Sequence, residues 1–266
     1  MLIEITPLIL TFNEAPNLRR TLEQLTWARE IVIVDSFSTD ETSAIARNFP
    51  QVRVVQRKFD SFAGQCNFGL AQIKTEWVLS LDADYVLSPE LVDEIGRLDG
   101  NADVTGYQVR FNYCIHGRRL RGSLYPPRTV LYRKDKALYR NNGHGHRVQI
   151  IGPMRLLAGR IDHDDRKPLD RWFGEQIKYT RQEAKFLLAT PDVELKWADR
   201  IRRKIILAPA LVFFYTLLVK GLILDGWPGW FYVFQRTLAE IILSLRLIEE
   251  KLKTKDDAQT KEYVES

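Results

Sequence analysis

The chain has 266 residues, 45% hydrophobic and 27% charged, a balance that excludes a disordered segment, a collagen-like rod or a small disulfide scaffold. Its two cysteines, Cys66 and Cys114, sit beside apolar residues and are expected to be reduced thiols. The net charge of +5 conceals an asymmetry: residues 1–100 carry 9 basic and 15 acidic side chains, whereas residues 110–147 carry ten Arg or Lys and one acid, Asp135. The first stretch suits cations; the second suits an anion such as a nucleotide diphosphate, a nucleic acid or a membrane.

The apolar start, Leu2–Phe12, contains Glu4, has no basic lead-in and runs into polar Asn13-Glu14, so no export signal is expected and a cytoplasmic placement follows. Short β-rich runs at Ile3–Phe12, Ile31–Val34, Val52–Gln56 and Trp77–Leu81 predict four strands. Between and after them, Leu18, Leu22 and Leu25 repeat at helical spacing, Ser38-Thr39-Asp40-Glu41 offers a capping box, and Asn67–Ile73 and Pro89–Leu98 supply two further helices. Strands alternating with helices every 20–25 residues imply βαβ units and an α/β fold with a mostly parallel sheet. After residue 100 the pattern changes to strands at Val104–Cys114 and Thr129–Tyr132, a polar stretch Asn141–His146, and a long helix from about Leu169 to Leu188.

The last third is distinct. Ile205–Val219 is free of charge, and at about 22 Å as a helix it falls short of the roughly 30 Å hydrocarbon core. Trp230–Ile248 carries Arg236, Glu240 and Ser244 at four-residue steps, a polar stripe on an apolar helix, which is the profile of a helix lying in a membrane interface. Basic Lys196–Lys204 precedes this region, and Trp172, Trp197, Trp227 and Trp230 fall within or near it. Association of residues 205–248 with the inner face of the plasma membrane is the expectation; helices packed on the rest of the protein are the alternative.

Three strands end in polar residues. Trp77–Leu81 runs into Asp82-Ala83-Asp84, two carboxylates on one side of the chain, which suit Mg²⁺ or Mn²⁺ shared with phosphate oxygens. Ile31–Val34 ends in Asp35-Ser36, and the first strand ends in Thr11-Phe12-Asn13-Glu14. In open α/β sheets ligands bind beyond these carboxyl ends, although Asn13 and Ser38 also suit helix caps. Neither the glycine-rich dinucleotide fingerprint nor a phosphate loop is present, which counts against dehydrogenase and ATPase readings. A receiver-like signalling domain would leave the basic and apolar parts unexplained.

The segments Leu8–Glu14, Ile31–Asp40, Phe62–Gly69 and Leu79–Asp84, in that order, resemble the signatures of family 2 glycosyltransferases, in the branch of lipopolysaccharide-core β-glucosyltransferases. Looser similarity runs through Tyr125-Pro126, Asp162-His163-Asp164-Asp165 and Asp225–Gly229. The resemblance implies a GT-A fold and an inverting, metal-dependent transfer from a nucleotide-diphosphate sugar to a lipid-linked or cell-envelope saccharide. It implies donor contacts by Thr11, Asn13, Glu14, Asp35, Ser38, Asn67 and Asp82, with Asp84 and Asp82 as ligands of Mg²⁺ or Mn²⁺. Arginines of 110–147 would meet the diphosphate.

The base is the open point. Relatives place an acid after a histidine where this chain has His144-Gly145-His146-Arg147, and Arg147 stands in the position of that acid. His146 is one candidate base and Asp164, with its neighbours Asp162 and Asp165, another. The expected layout is a catalytic domain over 1–190 (nucleotide-sugar half 1–100, acceptor half 101–190), a membrane-associated helical region over 191–250 and a charged tail over 251–266. A nucleotidyltransferase, or a sugar-nucleotide-binding scaffold without catalysis, is the alternative. No nucleic-acid partner is expected, because the basic region lacks a recognition helix or an aromatic platform.

Overall fold

The computed structural model describes residues 1–100, 103–142 and 145–265, and among these the side chains outside 141–147 and 254–265. The chain divides into two compact units, Met1–Lys167 and Pro168–Ser266. In the first, β1 (Ile5–Thr11), β2 (Ile31–Asp35), β3 (Val52–Gln56) and β4 (Trp77–Asp82) are joined through α1 (Leu18–Glu23), α2 (Thr42–Arg47) and α3 (Phe62–Gln72). They pair in parallel in the spatial order β3-β2-β1-β4, with Thr11 opposite Asp35 and Leu10 opposite Asp82. Both faces of β1 and β2 are buried, which is why they read as near-continuous apolar runs.

The expectation of a mostly parallel sheet holds for this half. Beyond it come β5 (Tyr85–Leu87), α4 (Pro89–Gly96), β6 (Gly106–Ile115), β7 (Arg118–Arg119), β8 (Arg128–Arg133), β9 (Ala137–Asn142), β10 (Gly145–Ile150) and β11 (Met154–His163). β8 lies antiparallel between β4 and β6, β11 runs parallel to β6, and β5 closes the row antiparallel to β11. β9 and β10 form a separate antiparallel pair. No helix joins β6 to β8; β7 in that link turns back antiparallel on β6, and β8 follows it antiparallel on the sheet. The sheet is therefore mixed.

The capping box forms differently from the sequence reading. α2 starts at Thr42, and Ser38 turns instead to the neighbouring loops. β11 carries a bulge between Leu156 and Arg160, where the Ala158 and Gly159 N–H groups donate to the Glu94 carboxylate on α4. A methyl group on Gly159 would lie 2.6 Å from the Leu91 Cα, so glycine is what lets α4 sit on the bulge. Cys66 and Cys114 are buried free thiols.

The second unit holds α5 (Leu169–Ala189), α6 (Trp197–Arg203), α7 (Leu207–Phe214) with its continuation Tyr215–Val219, and α8 (Gly226–Glu265). Ala184 and Leu187 of α5 pack with Leu195, Ile205, Leu243 and Leu247, so this long helix belongs with α8 and not with a first domain running to 190. The polar stripe of α8 also points differently from its sequence reading. Glu240 is buried in a pair with Arg202, which also bonds Glu183 and Asp199, and Ser244 Oγ donates to the Ile205 carbonyl. Trp227, Phe231, Phe234, Ile241, Leu245 and Ile248 face outward instead. Among the described residues no single helix is long and apolar enough to cross a membrane; Leu207–Val219 and Leu222–Lys253, bent by 66°, pass that test only together.

Replacing Gly159 with alanine should destabilise the protein by about 1–3 kcal/mol, read as a lower urea midpoint at unchanged m-value, because the clash is with backbone. An unchanged midpoint would show that α4 is free to lift.

Candidate active site

The carboxyl ends of β1, β2 and β4 converge as the parallel register requires. The Thr11 hydroxyl donates to Asp35 Oδ1 at 2.8 Å, and the Ser38 amide and hydroxyl both donate to the same carboxylate. Ser38 Oγ accepts the Asn13 amide, while Asn13 Oδ1 accepts the Thr39 amide. Thr11, Asn13, Asp35 and Ser38 are thus brought together, with Asn13 and Ser38 stitching the β1 and β2 loops to each other and not capping helices.

Asp82 is half-buried and has neither a hydrogen-bond nor an ion-pair partner among the described residues. Asp84 is buried in the turn between β4 and β5. Its Oδ2 lies 3.1 Å from His163 Nε2, and its Oδ1 has no partner among the described residues. Burial disfavours the charge on Asp84, but the nearby His163 imidazolium more than offsets this and holds the carboxyl below its usual range. Burial likewise works against His163, and the charge of Asp84 reverses the balance so that its pKa rises. The pair of β5 with β11, Tyr85 opposite His163, delivers this histidine, and the rings of Tyr125 and Tyr113 pack on it at 4.6 and 4.8 Å.

The segment after β11 forms a second charged layer. Asp164 accepts from Arg20, Arg166 and the Gly117 amide, so its carboxylate is fully engaged in holding the loop. That leaves it little capacity to act as a base. Lys167 Nζ lies 2.9 Å from Glu14 Oε1, and Asn17 Nδ2 donates to both Glu14 and Asp165. Glu14 therefore faces inward to this network and not outward to a ligand. Burial raises its pKa to about 7 against the opposing charge of Lys167, whose own pKa Glu14 pushes up past the cost of burial. Asn67 is also spent on structure: its amide donates to the Tyr139 carbonyl and accepts the Tyr139 amide. His144 lies outside the described residues; His146 and Arg147 belong to β10, and their side chains are outside the described ones.

Sequence reasoning missed His163, Lys167, Asn17 and Arg20. His163 stood in a visible Asp-His-Asp-Asp run, but its pairing with Asp84 depends on strand register. Arg128, whose guanidinium carbon lies 4.7 Å over the Tyr125 ring, is the basic-region arginine held among the field of Asp82 and Asp84. No cluster of three or more metal-ligating side chains exists among the described residues. The buried Asp84 Oδ1 and Asp82, both without a hydrogen-bond or ion-pair partner among the described residues, nevertheless fit a divalent cation that takes one or two carboxylates and completes its shell with phosphate and water.

This arrangement, a parallel α/β half with carboxylates at its strand ends and a mixed half closing over them, matches a known class. Residues 8–158, more than half of the chain, match the pattern of Glycosyl transferase family 2, and the chain belongs to that family. It is 34% identical to an uncharacterized glycosyltransferase of Rickettsia bellii over 52% of this chain and 49% of that one. It is 31% identical to the lipopolysaccharide core biosynthesis glycosyltransferase LpsC of Rhizobium meliloti over 52% of this chain and 51% of that one. The matched part thus spans about half the length of these two relatives. The mannosyltransferase PcManGT of Pyrobaculum calidifontis, solved with GDP-Man and Mn²⁺, shares the fold with a TM-score of 0.52 at 15% identity, over 93% of this chain and 88% of that one.

A Glu14 carboxyl raised from 4.5 to about 7 contributes stability that is full below pH 4.5 and is lost as pH rises through about 7. A ¹³C NMR titration should place its midpoint near 7, and Lys167→Met should move it higher and extend the stability loss to higher pH. A midpoint in the ordinary carboxylate range would show that the network is open to water.

Proposed function

We propose that this chain transfers a sugar, with inversion, from a nucleotide-diphosphate sugar to a lipid-linked or cell-envelope saccharide at a membrane surface. The observation that carries the donor half of this reading is the pair of under-used carboxylates, Asp82 and Asp84 Oδ1, at the end of a buried parallel strand. Asp84 and Asp82 would hold Mg²⁺ or Mn²⁺, which when bound offsets the charge gained by the departing nucleoside diphosphate. Membership of the family and the Mn²⁺ and GDP-Man of the mannosyltransferase support this assignment.

The protein's own groups then have distinct tasks. Thr11 and Ser38 fix the orientation of Asp35 and fill its Oδ1, which leaves acceptor capacity on Oδ2, the atom we assign to a ribose or base. His163 holds Asp84 ionised and leaves its buried Oδ1 without a partner among the described residues. With Asp164 neutralised by two guanidinium groups, His146 is the base we assign to the acceptor hydroxyl. The similarity to LpsC supports an envelope acceptor.

The membrane half rests on the second unit. Ile206 is 80% exposed and Trp227 85%, and Leu211, Phe214, Leu218, Val219 and Leu224 are exposed with them, an apolar surface well beyond scattered single residues. The basic run of α6, with Lys196 and Lys204 at its ends, adjoins this surface in sequence and suits anionic headgroups.

Asp82→Asn removes a charge that has no hydrogen-bond or ion-pair partner among the described residues. It should lower transfer by at least about 100-fold at unchanged melting temperature and weaken Mn²⁺ binding by electron paramagnetic resonance. Full activity would overturn the metal assignment. Leu218→Glu combined with Leu224→Glu should weaken binding to anionic phospholipid vesicles by at least about tenfold. Undiminished sedimentation with vesicles would remove these helices from the membrane reading.

A further inference from the structure

Two of the arginines of α6 are already spent inside the second unit. Arg202 turns inward to Glu240, Glu183 and Asp199. Arg203 donates to the Leu187 and Thr190 carbonyls at the end of α5 and to Asp192 Oδ1 at 2.6 Å. Arg200 is only partly used: its Nε donates to the Leu195 carbonyl and one terminal nitrogen to the Val193 carbonyl, and the other terminal nitrogen has no partner among the described residues. Lys204, which caps the helix, has none either. Arg200 and Lys204 stand four residues apart and therefore share one face. Like charges at that spacing disfavour a helix, and the nearby acids do not relieve them, because Asp199 and Asp192 are taken by Arg202 and Arg203.

Both cations line a pocket of about 410 Å³, together with Arg203, Asp192 and Val193. Three cations stand there against one acid, so the pocket is positive. Its surroundings are apolar. Val193 is 84% exposed, and Trp197, three residues before Arg200 and on the same helix face, is 77% exposed. Beyond Lys204 the chain turns at Ile205 with a φ of 59°, in the left-handed region where glycine is usual and a β-branched residue is an outlier. Ser244, donating to the Ile205 carbonyl, and the packing of Ile205 with Leu243 and Leu247 hold that turn. The strained turn ends the helix at Lys204 and leaves the next residue, Ile206, turned outward beside the pocket's lysine.

A ligand that satisfies both features carries an anion joined to apolar chains. We propose that this pocket binds the phosphate of an anionic glycerophospholipid, with Arg200 and Lys204 donating to its oxygens and with Trp197 and Ile206 at the boundary between headgroups and acyl chains. The proposal rests on the membrane reading above and adds to it a discrete site and the lipid class it selects. A choline headgroup sets a cation beside its phosphate, and the same pocket repels it.

Sedimentation of the full chain with phosphatidylcholine vesicles, with and without phosphatidylglycerol, tests the site. Binding should require phosphatidylglycerol. Lys204→Gln removes no internal contact; it should weaken binding about threefold or more at unchanged melting temperature, and Arg200→Gln combined with it about tenfold or more. Lys178→Gln combined with Lys185→Gln takes the same charge from exposed positions of α5 and should cost less than about twofold. In calorimetry, monomeric dihexanoyl phosphatidylglycerol should bind at a single site lost in the Arg200→Gln, Lys204→Gln protein, and inorganic phosphate should bind at least about tenfold more weakly. Equal losses in the two double variants overturn the proposal, showing diffuse attraction, as does undiminished binding in the pocket variants. Binding of inorganic phosphate as tight as that of the short-chain lipid also overturns it, making the pocket a site for a free anion. Equal binding to vesicles with and without phosphatidylglycerol overturns the site and leaves the membrane reading standing. If the unaltered protein sediments with neither vesicle, the membrane reading itself falls and the site with it.

Discussion

The bond between His163 and Asp84 organises the first unit. It joins the last residue of β11 to the turn after β4, two points 79 residues apart in the chain, and so locks the mixed half of the sheet against the parallel half. Burial penalises both partners, and each is held charged by the other. Removing either would leave an uncompensated buried charge, which is why such pairs are far costlier to break than to form. The pairing also uses only one oxygen of Asp84. The other, Oδ1, is buried and has no partner among the described residues.

Around this pair the protein spends most of its local charges on itself. Arg20, Arg166 and Asp164 fix one side of the loop after β11, and Lys167, Glu14, Asn17 and Asp165 fix the other. Asp35 is oriented by Thr11 and Ser38, and Asn67 holds Tyr139. Sorting the polar residues by what they already bond separates scaffold from site. Asp82 and Asp84 Oδ1 are what the scaffold leaves without a partner among the described residues.

The second unit applies the same logic with the opposite outcome. Two polar side chains of α8 turn inward, where Glu240 neutralises Arg202 and Ser244 satisfies a carbonyl, because a buried charge or carbonyl without a partner is expensive. Beside its packed core, Ile206, Leu218, Leu224 and Trp227 turn outward, where water gives them no compensation. The membrane contact proposed above would cover this exposed apolar surface.

The sequence by itself determined the parallel half, because strands buried on both faces must be continuously apolar and their register follows from the βαβ repeat. It also determined that Thr11, Asp35, Asp82 and Asp84 would gather at one edge, since strand ends in a parallel sheet lie side by side. Tertiary structure alone decided which of the polar residues remain available. Glu14, Asn67 and Asp164 carry the right chemistry for a site, but partners 72 to 153 residues distant consume them. Local spacing holds no record of such pairings. The same reason hid the role of His163 and the inward turn of Glu240: in each case a partner far along the chain, brought close only by packing, settles where the charge points.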